Sequence, residues 1–264
     1  MKEFGNDEVL PVIEVYACLQ GEGKYSGIPH LLIRTTGCNL NCQFSDSLCD
    51  TAYSSWQPEK GRLTLNDIRK CIEDNPQIDH AFISGGEPTI HPDLVRKLTS
   101  LLHDYNYFVA IETNGTHYVE NSGLDFITIS PKLKNSVPVA GKTIHDVYVN
   151  RTVTTQEDAA RHEKKRKAYD QMKKWVDEYS SGDPGSEGKY QLKFVVSDGS
   201  ETEEIRVVQN LLGAPRKNVY LMPEGSVNEY LDKRRQWLME LCIREGYRYT
   251  DRLHIMAYGA RRYV

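Results

Sequence analysis

Short apolar runs rich in β-branched and aromatic residues alternate with longer stretches whose apolar positions recur every three or four residues. The first kind predicts strands at residues 12–17, 31–35, 80–84, 107–112, 126–130, 191–196, 219–222 and 254–257. The second predicts helices at residues 64–74, 92–104, 201–212 and 227–245. This alternation argues for an α/β fold, with mostly parallel strands and outer helices. Strand after strand ends in a polar or glycine-rich phrase. These are Thr35-Thr-Gly-Cys38, Ser84-Gly-Gly-Glu-Pro88, Glu112-Thr-Asn-Gly-Thr116, Ser130-Pro-Lys132 and Met222-Pro-Glu-Gly225. In β/α barrels the C-terminal strand ends share one mouth, where chemistry is placed. The helices are too few for a complete eight-fold barrel, so a partial, incomplete β/α barrel is expected.

Residues 150–190 break this rhythm. Thr154 and Glu157 have capping-box spacing, which predicts a helix starting near Thr155 and running to Tyr179. Tyr169, Met172, Trp175, Val176 and Tyr179 mark one apolar face of it. The basic run Arg161-His-Glu-Lys-Lys-Arg-Lys167 reads as a solvated helix face rather than a nucleic-acid surface, because no aromatic residues interleave the charges. A flexible loop is expected over residues 180–188. The chain therefore reads as one domain over residues 1–264, with a helical and loop insertion around 150–190.

Bulk properties exclude some functions. The 264 residues are 39% hydrophobic and 27% charged, which suits a globular domain. A balance of 33 basic against 37 acidic residues gives −4, which points to neither nucleic acid nor a membrane surface. The polar start and the lack of a long apolar run predict an intracellular, cytoplasmic protein whose thiols stay reduced.

Three of the six cysteines, Cys38, Cys42 and Cys49, fall within twelve residues. Three nearby thiolates can hold a cubane iron–sulfur cluster, and no fourth cysteine lies close by, which would leave one iron open. Structural zinc with one histidine is the alternative, although the nearest histidines, His30 and His80, are remote. Spacing alone leaves both open. Cys71 and Cys242 sit beside apolar helix positions and read as core thiols. Cys18 receives no role. Ser84-Gly-Gly-Glu-Pro88 would by itself be a tight turn; after a strand and downstream of three cysteines it becomes more specific.

At this point the chain resembles the radical S-adenosylmethionine enzymes, whose signature is Cys-x3-Cys-x2-Cys followed by a Gly-Gly-Glu-Pro-like strand end. Cys38 and Cys42 match it. Six residues, 43–48, stand where two are usual, and an outward loop there would leave the ligands intact. Leu19-Gln-Gly-Glu-Gly23, Arg34, Cys49-Asp-Thr51, Ser84-Gly-Gly-Glu-Pro88, Glu112-Thr-Asn-Gly-Thr116 and Ser130-Pro-Lys132 occur in that order. With Lys193-Phe-Val-Val196 and Arg252-Leu-His254, this ordered set is similar to the 7-carboxy-7-deazaguanine synthase family over nearly the whole chain.

The resemblance implies a [4Fe–4S] cluster on Cys38, Cys42 and Cys49. It implies S-adenosylmethionine cleaved reductively to a 5′-deoxyadenosyl radical and then regenerated, with Mg²⁺ assisting. It also implies a radical lyase that turns 6-carboxy-5,6,7,8-tetrahydropterin into 7-carboxy-7-deazaguanine and ammonia, on the way to queuosine-type deazapurines. Leu19, Gln20, Gly21, Glu22, Arg34 and Ser84 would bind the substrate. Arg34 offers a planar fork for its carboxylate, with a surface ion pair as the bland alternative. Gln20 and Glu22 suit a pterin edge. Leu48, Cys49, Asp50, Gly86, Ser130, Pro131 and Lys132 would bind adenosylmethionine, and Thr51 would give Mg²⁺ a hydroxyl oxygen. His254 reads as a packed histidine rather than a catalytic one. A flavodoxin-like reductant and a homodimer are implied by analogy. Competing readings are a glycyl-radical activase and a zinc-stabilised module without catalysis.

Overall fold

The structure is a computed structural model that describes residues 2–45, 47–146, 149–180 and 187–264. Its strands are β1 (Val12–Leu19), β2 (Pro29–Thr35), β3 (His80–Gly85), β4 (Phe108–Thr113), β5 (Phe126–Ile129), β6 (Thr143–Asp146), β7 (Val149–Val153), β8 (Tyr190–Val196), β9 (Val219–Pro223) and β10 (Arg248–Tyr249). Its helices are α1 (Ala52–Ser55), α2 (Leu65–Glu73), α3 (Pro92–Asp104), α4 (Gln156–Lys165), α5 (Tyr169–Tyr179), α6 (Thr202–Leu212), α7 (Asn228–Glu245) and α8 (Leu253–Tyr258). Eight strands form one sheet in the order β1-β2-β3-β4-β5-β8-β9-β10. β1 and β2 pair antiparallel, and every pair from β2 onward is parallel. This is the partial β/α barrel expected, with β6 and β7 forming a separate hairpin.

Period-two alternation gives the sheet two different faces. Leu31, Ile33, Ala81, Ile83, Val109, Ile111, Leu192 and Phe194 join the core beneath the helices. Ile68 of α2, Leu98 of α3, Trp175 of α5, Val208 of α6 and Leu238 of α7 cover them. The intervening residues Leu32, Arg34, Phe82, Ser84 and Glu112 face a cavity instead. The same strands that bury the core thus carry the chemistry on their other side.

Four expectations are corrected. Residues 254–257 do not form a strand; they belong to α8, and the eighth strand is the two-residue β10. A strand period would place Ile255 and Ala257 on one buried face, but only Ile255 is buried. The helix expected from Thr155 to Tyr179 is two helices, parted where Arg166 turns inward to Glu163 and Glu204. His162 and Arg166 are accordingly buried, so the basic run is only in part a solvated face. The capping box lies one residue later than expected, pairing Thr155 with Asp158, because the Thr154 hydroxyl is spent on the Val139 and Lys142 carbonyls. Of the loop expected at 180–188, residues 181–186 lie outside the described residues. Cys242 is buried and Cys71 half-buried against the core, as expected.

Candidate active site

The strand ends converge on one cavity of ≈ 540 Å³. Cys38, Cys42 and Cys49 line it from the loop between β2 and α1. Cys42 is buried and the other two are half-buried. The six-residue gap closes as a tight hairpin. Gln43 bridges to Leu48, Phe44 N–H donates to Ser47 O at 2.8 Å, and Cys49 N–H donates to Cys42 O at 3.2 Å. Cys49 is thereby returned beside Cys42. The hairpin does not swing outward as expected: Phe44, Ser45 and Ser47 lie on the cavity wall, and the Ser47 hydroxyl reaches Glu224. Asp46 lies outside the described residues.

The glycines of Ser84-Gly-Gly-Glu-Pro88 serve close backbone packing. A Cβ on Gly86 would stand 2.3 Å from both Gly37 O and Ser54 O, so the end of β3 presses directly on the cysteine loop. Glu87 is fully buried and accepts hydrogen bonds from the Thr89 amide at 3.0 Å, the Thr113 hydroxyl at 2.7 Å and the Asn114 amide at 2.6 Å. It is a strut that fixes the ends of β3 and β4 against each other.

The thiol surroundings fit a cluster. Leu40 N–H donates to Cys38 Sγ at 3.4 Å, and the Thr51 hydroxyl oxygen lies 3.4 Å from Cys49 Sγ. Burial, reinforced by the Glu87 carboxylate, pushes the Cys38 thiol up to about 12. Burial also raises Cys42 well above the usual thiol range, while Lys132 acts in the opposite direction on both. Thiolates here need positive charge inside the cavity, which cluster irons supply. Among the described residues, no three His, Cys, Asp or Glu side chains gather closely enough for a single metal ion.

Charged residues line the same cavity. The turn after β1 places Gln20, Gly21 and Glu22 at the cavity. Burial alone would raise the Glu22 carboxyl, but the Lys193 and Arg252 charges outweigh it and hold it well below the usual range. Lys193, fully buried, donates to both Glu22 and Glu112. Arg34 faces Glu14 across the antiparallel β1–β2 pair and donates to it from Nε at 2.6 Å. Glu14 is buried behind the wall and Arg34 stands on it, so ion pairing and a place in the site hold together for Arg34. A guanidinium has five N–H donors, and this contact uses one.

All the site residues read from the sequence line this cavity except Pro131, which is buried away from the wall. Leu19, Gln20, Gly21, Glu22, Arg34 and Ser84 lie on it, as do Leu48, Cys49, Asp50, Gly86, Ser130, Lys132 and Thr51. Lys132 Nζ donates to Ser130 Oγ at 2.7 Å. Several wall residues were not read from the sequence. Cys18 lines the cavity and sits 3.7 Å from His30 Nε2. His254 is one-third exposed there, beside Glu22, and is not a packed core residue. Arg252 and residues 259–262 complete the wall. Arg252 had only its place in a family phrase to mark it, and the irregular chain end had no periodicity.

The β6–β7 hairpin and α4 buttress the cysteine loop. Ile144 and Val149 of the β6–β7 hairpin pack with Ala52, Leu48 and Trp56. The buried His162 ring accepts from the Asn41 amide at Nδ1 (3.3 Å), and its Nε2 lies 3.1 Å from the Ser136 hydroxyl. Burial, helped by Arg166, lowers His162 to about 4, so it is neutral at pH 7. His162→Ala strands the Asn41 donor, at a cost of about 1–3 kcal/mol. The expected result is several-fold faster iron loss to a chelator under anaerobic conditions. Release at the wild-type rate would reduce His162 to packing.

Comparison with known proteins accords with this geometry. Residues 32–133 match the family model described as the radical SAM superfamily. The chain is 35% identical over 260 residues to a 7-carboxy-7-deazaguanine synthase of Halobacterium salinarum, covering 95% of this chain and 91% of that one. It is 35% identical over 257 residues to one from Rhodopirellula baltica, covering 97% and 90%. The structure of QueE from Escherichia coli superposes with a TM-score of 0.58 over 92% of this chain and 94% of that one, at 21% identity, which speaks to fold. A [4Fe–4S] cluster and S-adenosylmethionine are what the radical SAM relationship implies for these three thiols.

Proposed function

We propose, since the chain belongs to the 7-carboxy-7-deazaguanine synthase family, that it is a radical lyase converting 6-carboxy-5,6,7,8-tetrahydropterin into 7-carboxy-7-deazaguanine and ammonia. Substrate and product differ by one ammonia, so the conversion needs no net oxidant. The observation that carries the reading is one cavity lined both by three cysteines and by Arg34, Gln20 and Glu22. When bound to Cys38, Cys42 and Cys49, a [4Fe–4S] cluster with S-adenosylmethionine supplies one-electron chemistry that removes a substrate hydrogen.

The chain's residues position that event. Arg34 holds the substrate carboxylate with donors that Glu14 leaves over. Gln20 and Glu22 read the pterin edge, and Ser84 adds a hydroxyl on the same wall. Each Glu22 oxygen already faces a cation and keeps lone pairs for substrate N–H groups. Leu48, Cys49, Asp50, Gly86, Ser130 and Lys132 form the adenosylmethionine side. Domain 1–264 works as one unit in this reading, with its insertion around 150–190 as scaffold. A flavodoxin-like reductant, a homodimer and a cytoplasmic location belong to the same reading. No described helix is long and apolar enough to cross a membrane. The test compares the carboxylated tetrahydropterin with one lacking the 6-carboxylate. Only the first is expected to yield a deazaguanine, and equal conversion of both would remove the role of Arg34.

Thr51 is the Mg²⁺ ligand of this proposal. Its hydroxyl lies 3.4 Å from Gly85 O, at the edge of the cavity. A neutral hydroxyl binds Mg²⁺ weakly, so substrate oxygens and retained waters complete the octahedron. Thr51→Val keeps the shape and removes the oxygen. Turnover and the response to added Mg²⁺ are expected to fall, while cluster content and adenosylmethionine binding survive. Wild-type Mg²⁺ dependence in this variant would leave the hydroxyl a turn-stabilising contact.

A further inference from the structure

Arg252 is buried, and its guanidinium reaches three separate segments. Nε donates to Glu22 at 3.0 Å, Nη1 to Gly225 O at 2.7 Å, and Nη2 to Asp50. Glu22 belongs to the turn after β1, Gly225 to the loop after β9, and Asp50 follows Cys49 in the cysteine loop. Backbone contacts tie the same segment to the turn. Leu253 N–H donates to Gly21 O at 3.0 Å, and Gly23 N–H donates to the Thr250 hydroxyl at 2.6 Å. The His254 ring packs on Gly21, where a Cβ would stand 2.2 Å from Nδ1 and displace the ring. Without Arg252, Glu22 would keep Lys193, but Asp50 would lose the cation that ties it to the turn. A guanidinium is a rigid planar fork, so a shift of one partner displaces the other.

We propose that Arg252 is a positioning residue that couples the substrate-reading turn to the adenosylmethionine-reading loop, so that each ligand binds more tightly once the other is bound. The inference rests on the reading above, in which Glu22 faces the pterin and Asp50 faces adenosylmethionine. A pterin seated on Glu22 fixes Arg252, and Arg252 fixes Asp50 beside the third cysteine. The ordering of the two loops is then met once rather than twice. Such coupling is reciprocal, because it is one free energy shared by two binding events.

Calorimetric titration of the anaerobic, cluster-loaded protein tests this without reductant, so that nothing turns over. Adenosylmethionine is titrated with and without saturating 6-carboxytetrahydropterin, and the pterin is titrated with and without adenosylmethionine. In the wild-type protein each ligand is expected to tighten the other about tenfold, within the usual range of such couplings. In Arg252→Gln the factor is expected to collapse to within about twofold of unity while iron content is kept. Arg252→Lys keeps a buried charge but cannot span both carboxylates. It is expected to lose most of the factor, and it carries the test should Arg252→Gln not fold. Full coupling in either variant, or none in the wild-type protein, overturns the proposal. Normal adenosylmethionine binding with no pterin binding to the wild-type protein would instead overturn the functional reading, and the coupling with it.

Discussion

Replacing any one of Cys38, Cys42 or Cys49 by alanine is expected to abolish cluster binding, whereas Cys71→Ala and Cys242→Ala keep a full complement of iron. A cubane on three thiolates has no reserve protein ligand, so loss of one removes a corner of its attachment. Cys42 is the most enclosed of the three, and the hairpin over residues 43–48 exists to bring Cys49 back to it. The demanding control is Cys18, the one further thiol on the cavity wall among the described residues. Burial pushes it up to about 12, and it lies against His30, so Cys18→Ala is expected to keep its iron. Iron and sulfide counts after anaerobic reconstitution check this. A full cluster in Cys49→Ala would show that the long gap conceals a different third ligand.

Arg34→Ala is expected to weaken binding of the carboxypterin far more than binding of adenosylmethionine. Truncating one partner of a desolvated charge-assisted pair typically costs about 2–5 kcal/mol. The structure makes this variant unusually clean. Glu14 also accepts from Arg262 Nε at 2.7 Å, so removing Arg34 does not leave a bare buried carboxylate. Arg262 stacks on Tyr53 with its guanidinium 3.7 Å from the ring centroid, which holds that replacement contact in place. Arg34→Lys should restore little, because an ammonium lacks the bidentate fork. Equilibrium titrations of the two ligands separate the effects. Unchanged affinity for the carboxypterin would make Arg34 purely structural.

Much of this was legible in the sequence because short-range patterns carried it. Strands β2 to β5, β8 and β9 are parallel, and their apolar runs stand out. The strand-end phrases fell at one mouth because parallel strands share a direction. What escaped was decided at long range. Residues 254–257 are too few to separate a period of two from one of 3.6, and contacts with the turn at Gly21 settle them as helix. The one-residue shift of the capping box depended on where the Thr154 hydroxyl goes. His162 and Arg166 look like surface charge in a basic run, yet their partners Asn41 and Glu204 lie far away in sequence. Arg252 is the same case, since its importance depends on Glu22 and Asp50, some two hundred residues earlier.

One cavity brings radical chemistry to the ring contraction of a carboxylated tetrahydropterin. The most direct measurement is anaerobic incubation of the cluster-loaded protein with 6-carboxy-5,6,7,8-tetrahydropterin, S-adenosylmethionine, Mg²⁺ and a reductant, followed by quantification of every product. The expected products are 7-carboxy-7-deazaguanine and ammonia in equal amounts, with many turnovers per adenosylmethionine. Recovery of the pterin unchanged while adenosylmethionine is cleaved to 5′-deoxyadenosine and methionine would contradict this.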